Sequence, residues 1–572
     1  MIAASHGAST GRRRTIVALA ATGPSRWKWG FDPTRRPDVA FVALMAVLAA
    51  SRFRTLHAGG APATVDSGNW LAYGHDLLDV SVRDPSITYP PLVPLVVTSA
   101  TGLFGPVTAV ALVGALCSIA PAAGTYWALR TTTTSVTGRW LLVPLTGLLG
   151  AAGATGEATA WGGFPQLIGA GLAPVLLLLV DRVLRRSRLD DVIRAAVVLF
   201  ILAATSHFAA SYAVLAVGAL VALSVATRGR GDRLRWLRSR LPLLAAIPLP
   251  CIALLPWYRP LLAAMARNPV TDTDATLTSD NVLRWIEFTY RDQPVLWRTL
   301  AIAGTAVVFL LWPQRHRRAW RLSTSAMAAV VIGSLLSREA RFLHFLPLAS
   351  VMAVGTWLAV VVAPSSPAPS PVEERGLEGA RRTSPRPRSR PAPSVAAWCA
   401  AALVIALVIQ GISGHRHFVE QREFYGIVDR DLHVALIWLR DETPAEAIVG
   451  VSTVDGAPLG WWVEGLSQRR TVYASPLQWL VHPDEQDRAR LANELFDETF
   501  PNAGAFARAR DEGIDLLVLP LTSGHIDPVT VGEFIEGHPG LVRYRNDGVV
   551  IFGTATDSGP LSSDPSHGAV PR

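Results

Sequence analysis

The feature that most constrains this sequence is a series of apolar stretches that recurs along most of its length. A helix needs about 20 apolar residues to cross a hydrocarbon core of about 30 Å. Half of the 572 residues are hydrophobic and only 17% are charged, which excludes a disordered chain and an ordinary soluble enzyme. The sequence therefore predicts a polytopic α-helical membrane protein. Twelve candidate stretches cover 38–53, 91–104, 106–129, 140–156, 161–181, 192–206, 208–226, 241–258, 294–313, 320–336, 341–363 and 395–413.

The arginine-rich loops indicate how many of these stretches cross the membrane. Cytoplasmic loops carry an excess of Lys and Arg. If all twelve stretches crossed, the loop 182–194, which contains five arginines, would lie outside. Leaving out the stretch 91–104, which has only 14 residues, places this loop and the later basic loops inside. A segment this short is typical of an interfacial helix. We predict about 11 transmembrane helices, with the N-terminus inside and the C-terminus outside.

Charge divides the chain into two parts. Residues 415–572 contain 13 Arg against 24 Asp and Glu, whereas the preceding 414 residues contain 40 basic and 20 acidic residues. The basic residues are spread over short loops, where they set topology and contact membrane lipids, so no nucleic-acid binding is expected. Lys28 is the only lysine; we interpret this as the codon bias of a GC-rich genome, which indicates a bacterial plasma-membrane protein.

The region after the last apolar stretch has a different pattern. Helical periodicity covers Asp431–Arg440 and Asp484–Glu498, and short apolar runs at 448–452, 516–519 and 549–552 predict strands. The predicted organisation is a basic cytoplasmic tail (1–37), a transmembrane domain (38–363) with a first outer loop (54–105), a disordered Pro/Arg-rich cytoplasmic loop (364–394), a last transmembrane helix (395–413) and a C-terminal extracytoplasmic α/β domain (414–572).

The first outer loop carries the residues that indicate a function. Asp66 lies early in the loop, His75 and Asp76 follow, and a Tyr-Pro-Pro-Leu element at Tyr89–Leu92 leads into the predicted interfacial helix. In this layout the sequence resembles the GT-C superfamily of integral-membrane glycosyltransferases, which includes polyprenyl-phosphate-sugar transferases, protein mannosyltransferases and oligosaccharyltransferases. The resemblance extends in layout over residues 38–363. It implies a GT-C-like fold and a sugar donor linked to polyprenyl phosphate.

The resemblance implies that Asp66 is the catalytic base. A carboxylate near the membrane surface can take the proton of an acceptor hydroxyl while the sugar leaves the lipid phosphate, which contributes roughly 10²–10⁴-fold to the rate. The alternative is that Asp66 only caps the helix that begins near Gly68. His75 and Asp76 could bind substrate in the same site, or they could form the solvated face of that helix.

Two further outer turns carry candidate residues. Glu157 lies between the third and fourth predicted spans, and the resemblance implies a second catalytic carboxylate there, which could help to hold a divalent metal such as Mg²⁺ or Mn²⁺. A lone carboxylate at a span end is costly and often functional, although solvation at the interface is the alternative. His207 lies at another outer turn, where it could bind phosphate or a sugar hydroxyl, or stabilise the turn.

Arg338 and Arg341 lie at the outer start of the tenth predicted span, where positive charge departs from the topology rule. Arginine binds phosphate oxygens through paired hydrogen bonds. The stretch also resembles the entry to late spans in GT-C enzymes, in which an arginine binds the donor phosphate. Arg341 is the predicted phosphate ligand and Arg338 a second candidate, with an ion pair to Glu339 or a lipid headgroup contact as the structural alternative.

Two other motifs are short enough to arise by chance. Asp272 and Asp274 form an Asp-Thr-Asp in an outer loop, and the pair Trp461–Trp462 could stack on sugars, but a solvated loop and core packing are the simpler interpretations.

We predict a glycosyltransferase that transfers a sugar from a polyprenyl-phosphate donor to a cell-envelope glycan, lipid or protein on the outer face. A non-catalytic GT-C scaffold and a lipid or solute transporter are the alternatives.

Overall fold

The computed structural model describes residues 35–78, 89–267, 278–314, 317–338, 340–358, 395–454, 457–475, 483–497, 499–521 and 528–555. The loop 364–394, nearly all of the predicted tail, the Asp272–Asp274 motif and Glu339 lie outside these ranges.

Helices form almost all of the apolar part of the chain. Several of them begin where the sequence supplies a start signal: Pro37 and Pro106 lie in first turns, and the Ser135 and Ser206 hydroxyls accept first-turn amide hydrogens. The helices are α1 (Arg36–His57), α2 (Ser67–Leu78), α3 (Leu92–Phe104), α4 (Pro106–Arg130), α5 (Val136–Ala151), α6 (Gly153–Trp161), α7 (Phe164–Arg186), α8 (Leu189–Thr205), α9 (His207–Ala226), α10 (Arg233–Ala246), α11 (Leu255–Arg267), α12 (Ser279–Tyr290), α13 (Pro294–Leu310), α14 (Arg318–Ser337), α15 (Leu346–Trp357) and α16 (Val395–Tyr425). Short 3₁₀ segments cover Leu249–Leu254, Trp312–Gln314 and Ala340–Phe345.

The chain is a multi-pass integral membrane protein. Among the described residues, seven helices are long and apolar enough to span a membrane, or eight if α5 and α6, which meet at a 41° bend, form one span. The sequence predicts about 11. The difference arises from helices such as α8 and α13, which have 17 residues each and so extend only about 25 Å. The stretch 91–104 forms a helix of 13 residues, α3.

Small residues allow the helices of the membrane part to approach closely. A Cβ atom on Gly124 of α4 would clash with the carbonyl oxygen of Gly171 in α7. Close backbone approach at small residues is a common way in which helices associate in membranes. Helices α4, α5, α7, α9, α14 and α15 enclose the main hydrophobic core.

The C-terminal part is a mixed α/β domain, as predicted. Its helices are α17 (Arg430–Glu442), α18 (Gly460–Ser467), α19 (Pro483–Leu495), α20 (Ala503–Asp511) and α21 (Pro528–Gly537), and its strands are β1 (Ile448–Val451), β2 (Thr453–Val454), β3 (Ala457–Pro458), β4 (Arg470–Tyr473), β5 (Leu516–Pro520), β6 (Val542–Arg545) and β7 (Val549–Gly553). The main sheet has the order β4-β1-β5-β7-β6, in which β1 is parallel to β4 and β5 and β7 is antiparallel to its neighbours.

The α/β domain docks on the helix that follows Asp66. The Trp462 indole N–H donates to the Thr64 carbonyl at 2.9 Å, and a Cβ atom on Gly68 would lie 2.8 Å from the Trp462 backbone nitrogen. Trp462 is fully buried in a core that it shares with Trp70 and Leu71 of α2. The pair Trp461–Trp462 is thus a packing element at this interface.

Candidate active site

Asp66 immediately precedes α2 and is held against the turn between α6 and α7. Its backbone N–H donates to the Trp161 carbonyl at 2.8 Å, and the Trp70 indole N–H donates to the Gly162 carbonyl at 2.9 Å. Gly162 has a φ of +96°, and a Cβ atom there would lie 3.0 Å from the Asp66 Cβ. The turn therefore fits closely around Asp66 because Gly162 has no side chain.

The Asp66 carboxylate is surrounded mainly by protein. Some of the residue surface is exposed, yet surrounding protein atoms desolvate the carboxylate, and this burial raises the pKa of Asp66 to about 7. Burial, and then the charge of Asp66, raise the pKa of the Tyr89 phenol. Within the described ranges, the carboxylate has no hydrogen-bond or ion-pair partner, so it does not act as a helix cap through its side chain.

Glu157 is buried and paired with the last long helix. Its Oε2 lies 3.1 Å from the His417 Nε2, and its Oε1 accepts a long hydrogen bond of 3.5 Å from the Tyr425 hydroxyl. The side chain is 2% exposed. The Trp161 ring, four residues further along α6, packs edge-on against the Tyr425 ring at 6.3 Å. The Trp161 carbonyl also accepts the hydrogen bond from the Asp66 backbone N–H. Glu157 and Asp66 therefore both contact the segment around Trp161.

The bend before α6 is stabilised by an acidic residue from a distant loop. At this bend the Gly153 N–H is free of the α5 hydrogen-bond pattern and donates to the Asp292 carboxylate at 2.9 Å. The Gln410 amide of α16 donates to the same carboxylate. Because Asp292 fixes both the start of α6 and the side of α16, it holds Glu157 opposite His417.

Arg341 lies in the 3₁₀ segment that follows α14. Its own pKa is lowered by burial. Burial, and then the Arg341 charge, lower the pKa of His344 to about 4, so His344 is neutral at pH 7. His207 lies within electrostatic range of Arg341, and its buried Nδ1 has no hydrogen-bond partner in the described part of the chain.

A row of aromatic rings connects the surroundings of Asp66 with those of Arg341. The Trp70 and Tyr89 ring centroids are 4.6 Å apart, and the Tyr89 ring meets the His207 ring edge-on at 5.9 Å. The His344 ring packs edge-on against Trp161 at 6.0 Å. The fold thus brings Asp66, Glu157, His207 and Arg341 to the same end of the helix bundle.

The other predicted residues lie elsewhere. His75 and Asp76 lie nine and ten residues beyond Asp66 on α2, about 14 Å away along the helix axis. His75 is oriented towards the backbone of Gly465 in the α/β domain, and its pKa is lowered mainly by burial. Arg338 is an exposed residue that ends α14 in the left-handed conformation, with φ +57°.

Two cavities adjoin the site. A small one of about 70 Å³ is lined by Trp161, His344, Thr155 and Gln166 among apolar residues. A larger one of about 510 Å³ lies between the start of α13 and the polar end of α16, and His417 forms part of its wall. Its other polar lining residues are Arg291, Asp292, Arg416 and Glu420.

The described side chains around Asp66 and Glu157 do not fit a divalent metal. Among the residues that the structure describes, no group of three or more His, Cys, Asp and Glu side chains could hold an ion. The nearest partners of Glu157 are one histidine and one tyrosine, whereas Mg²⁺ requires several oxygen ligands. The sequence-based expectation of Mg²⁺ or Mn²⁺ is therefore not supported by these side chains.

Sequence reasoning missed His417 and Tyr425. The predicted last span ends at residue 413, but α16 continues to Tyr425 and is 31 residues long, or about 46 Å. Gly411 and Gly414 lie where the predicted span ends, and a glycine after an apolar segment is a common signal for a helix end, but α16 continues through both. Neither the continuation of this helix nor its contact with Glu157 was therefore readable in the sequence.

Comparison with solved structures identifies the fold. The structure superposes on ArnT from Cupriavidus metallidurans with a TM-score of 0.51, at 15% sequence identity, over 91% of this chain and 98% of ArnT. This protein has the GT-C fold. ArnT bound to undecaprenyl phosphate gives the same TM-score and identity, over 91% of this chain and 99% of ArnT. An Archaeoglobus fulgidus oligosaccharyltransferase matches with a TM-score of 0.48 and 13% identity, over 91% of this chain and 75% of that enzyme.

The similarity is one of structure. No protein-family model matches this sequence, and no curated protein matches it. The resemblance to GT-C glycosyltransferases seen in the sequence is confirmed for the fold, including the helical membrane part and the C-terminal α/β region.

Proposed function

We propose that this protein is a membrane glycosyltransferase that moves a sugar from a polyprenyl-phosphate donor to a hydroxyl-bearing acceptor of the cell envelope. The single observation that carries the proposal is the placement of Asp66, without a side-chain partner in the described chain, at the same end of the bundle as Arg341. The GT-C fold supports the same reaction class, and the ArnT structure with undecaprenyl phosphate supports a lipid-phosphate donor.

In this mechanism Asp66 is the general base. Its carboxylate takes the proton of the acceptor hydroxyl as the acceptor oxygen forms a bond to the anomeric carbon. The bond from that carbon to the phosphate oxygen breaks, and polyprenyl phosphate leaves with the electron pair. A general base works best when its pKa is close to the operating pH, and the pKa of Asp66, raised by burial to about 7, meets this condition.

Arg341 binds the donor phosphate, and His207 assists it. Arg341 is partly buried, so its attraction for an anion is screened less than it would be on an open surface. The His207 Nδ1, buried and unpaired among the described residues, can hydrogen-bond a phosphate or sugar oxygen. Positive charge at this position also stabilises the phosphate that leaves.

Glu157 has a positioning role in this proposal. It is enclosed by His417 and Tyr425 and holds Trp161 and the adjoining turn in place. That turn orients Asp66 through the hydrogen bond of 2.8 Å from the Asp66 backbone N–H to the Trp161 carbonyl. The alternative, direct catalysis by Glu157 as the sequence indicates, requires that substrate displace His417.

The test is sugar transfer in membranes with a panel of labelled polyprenyl-phosphate sugars and an envelope extract as acceptor. Asp66→Asn is expected to lower the transfer rate by roughly 10²–10⁴-fold, as expected for the loss of a general base. Asp190→Asn is the matched control because Asp190 is exposed at the start of α8 and pairs there with the exposed Arg194. Transfer that persists in Asp66→Asn would contradict the role of Asp66.

Donor binding is tested separately with undecaprenyl phosphate. Arg341→Gln is expected to weaken binding by about tenfold or more, because hydrogen bonds to charged groups contribute about 1.5–3 kcal/mol. Arg338→Gln makes the same change three residues earlier, at an exposed position, and is expected to leave binding unchanged. Equal losses in the two variants would contradict the assignment of Arg341.

A further inference from the structure

A second polar cluster lies at the opposite end of the helix bundle from the candidate active site. Helix α7 starts at Phe164, beside the turn that contacts Asp66, and reaches Asp181 17 residues later, about 26 Å away. Helix α9 starts at His207 and α14 ends shortly before Arg341, so the other ends of both helices lie with Asp181.

The cluster is built around one buried carboxylate. Asp181 is 1% exposed, and its Oδ2 lies 2.6 Å from the Arg318 Nε and 2.9 Å from the Arg185 Nη2. The Arg321 Nη2 lies 3.8 Å from the Oδ1. One negative charge thus faces three guanidinium groups, which leaves an excess of two positive charges at a site that is largely removed from solvent.

Of these residues, Asp181, Arg185 and Arg321 line a cavity of about 190 Å³. Arg228, which follows α9, adds a fourth guanidinium group, held 4.1 Å from the centroid of the Trp236 ring. Ser224 and Thr227 supply hydroxyl groups to the wall. Stacking on an aromatic ring fixes the direction of a guanidinium group without using its charge, so Arg228 keeps hydrogen-bonding capacity towards the cavity.

We propose that this cavity binds a phosphate group. The excess charge of the cluster matches a phosphate, which carries about −1.5 to −2 charges near pH 7 as a monoester. Guanidinium groups bind phosphate oxygens through two parallel hydrogen bonds, and serine and threonine hydroxyls complete such sites. Asp181 does not repel the ligand because Arg185 and Arg318 already pair with its Oδ2. The phosphate is either the headgroup of a membrane lipid or a free phosphate, and this site is separate from glycosyl transfer.

The experiment uses the full-length protein with two probes. In a neutral detergent, thermal unfolding is followed as inorganic phosphate is added, at an ionic strength kept constant with chloride so that screening does not change. In nanodiscs of phosphatidylcholine, alone or mixed with phosphatidylglycerol, native mass spectrometry counts the lipids that stay bound. Stabilisation by phosphate in detergent identifies free phosphate as a ligand, and selective retention of phosphatidylglycerol identifies the headgroup.

Arg228→Gln is the informative variant, because Arg228 is exposed and does not pair with Asp181, so that folding is preserved. It is expected to weaken binding of the probe by about tenfold or more, and Arg321→Gln is expected to do the same. Arg194→Gln removes an exposed arginine at the same end of the bundle, which pairs with the exposed Asp190, and is expected to leave probe binding unchanged. The proposal is overturned if neither probe binds, or if Arg194→Gln and Arg228→Gln weaken binding equally.

Discussion

Replacement of Asp66 by asparagine is expected to stabilise the protein above neutral pH. The substitution keeps the shape of the side chain and removes its charge. In the folded protein, burial raises the pKa of this carboxyl group from 3.8 to about 7. Among the described residues no hydrogen bond or ion pair offsets the cost of the charged form, so the ionised carboxylate opposes folding.

The size and the pH range of this effect follow from the pKa values. A difference of one unit corresponds to about 1.36 kcal/mol, so a change from 3.8 to about 7 sets a ceiling of about 4 kcal/mol. Part of the Asp66 surface is exposed, which reduces the cost below this ceiling. Because the folded-state pKa is raised, the unfolded chain loses its proton first. The destabilisation is absent below pH 3.8, increases as the pH rises towards 7 and is constant above it.

Thermal unfolding of the detergent-purified protein measures this directly. The Tm of Asp66→Asn is expected to exceed that of the wild type by an amount that increases between pH 5 and pH 8. Asp190→Asn, which removes an exposed carboxylate, is expected to show no such increase. A Tm of Asp66→Asn that equals the wild-type value at pH 8, or a difference that does not depend on pH, would refute the reasoning.

Three further predictions concern the surroundings of Asp66. Gly162→Ala places a Cβ atom 3.0 Å from the Asp66 Cβ in a left-handed backbone; a loss of about 1–2 kcal/mol is expected, and an unchanged Tm would contradict the close fit. Glu157→Gln and His417→Gln are expected to show a coupling energy of about 0.5–3 kcal/mol in a double-mutant cycle of unfolding, whereas additive effects would show that the buried pair contributes nothing. Gly68→Leu is expected to release the α/β domain from α2, seen as faster proteolysis between the two parts; the same rate as in the wild type would contradict the docking.

The sequence predicted the architecture well where local physics decides it. Apolar stretches of sufficient length form helices because every backbone polar group must be paired within the membrane, and the alternating short runs after residue 414 form the strands of a mixed sheet. The number of spans was harder to predict. Hydropathy gives the apolar length of a segment but not its helix ends, and α8 and α13 end after 17 residues.

The site could be predicted only in part, for the same reason. The sequence indicated four of the site residues because each is a polar residue at a turn between apolar segments: Asp66, Glu157, His207 and Arg341. Alternate turns of a helix bundle lie on the same side of the membrane, so these residues were expected to lie together. The contact of Glu157 with His417 joins residues 260 positions apart, and no local pattern encodes it. The role of Gly162 is likewise a property of the packed turn.

The Asp66 carboxylate differs in its surroundings from two carboxylates at the other end of the bundle. Asp38 accepts hydrogen bonds from Arg130 and Tyr126, and Asp181 lies among three arginines. Both carboxylates are thus paired with positively charged side chains. Asp66 has no such partner in the described chain, and the structure that surrounds it raises its pKa. A carboxylate that costs stability without a compensating contact is the pattern expected of a proton acceptor, because a tightly paired carboxylate would hold its charge too strongly to act as a base near neutral pH.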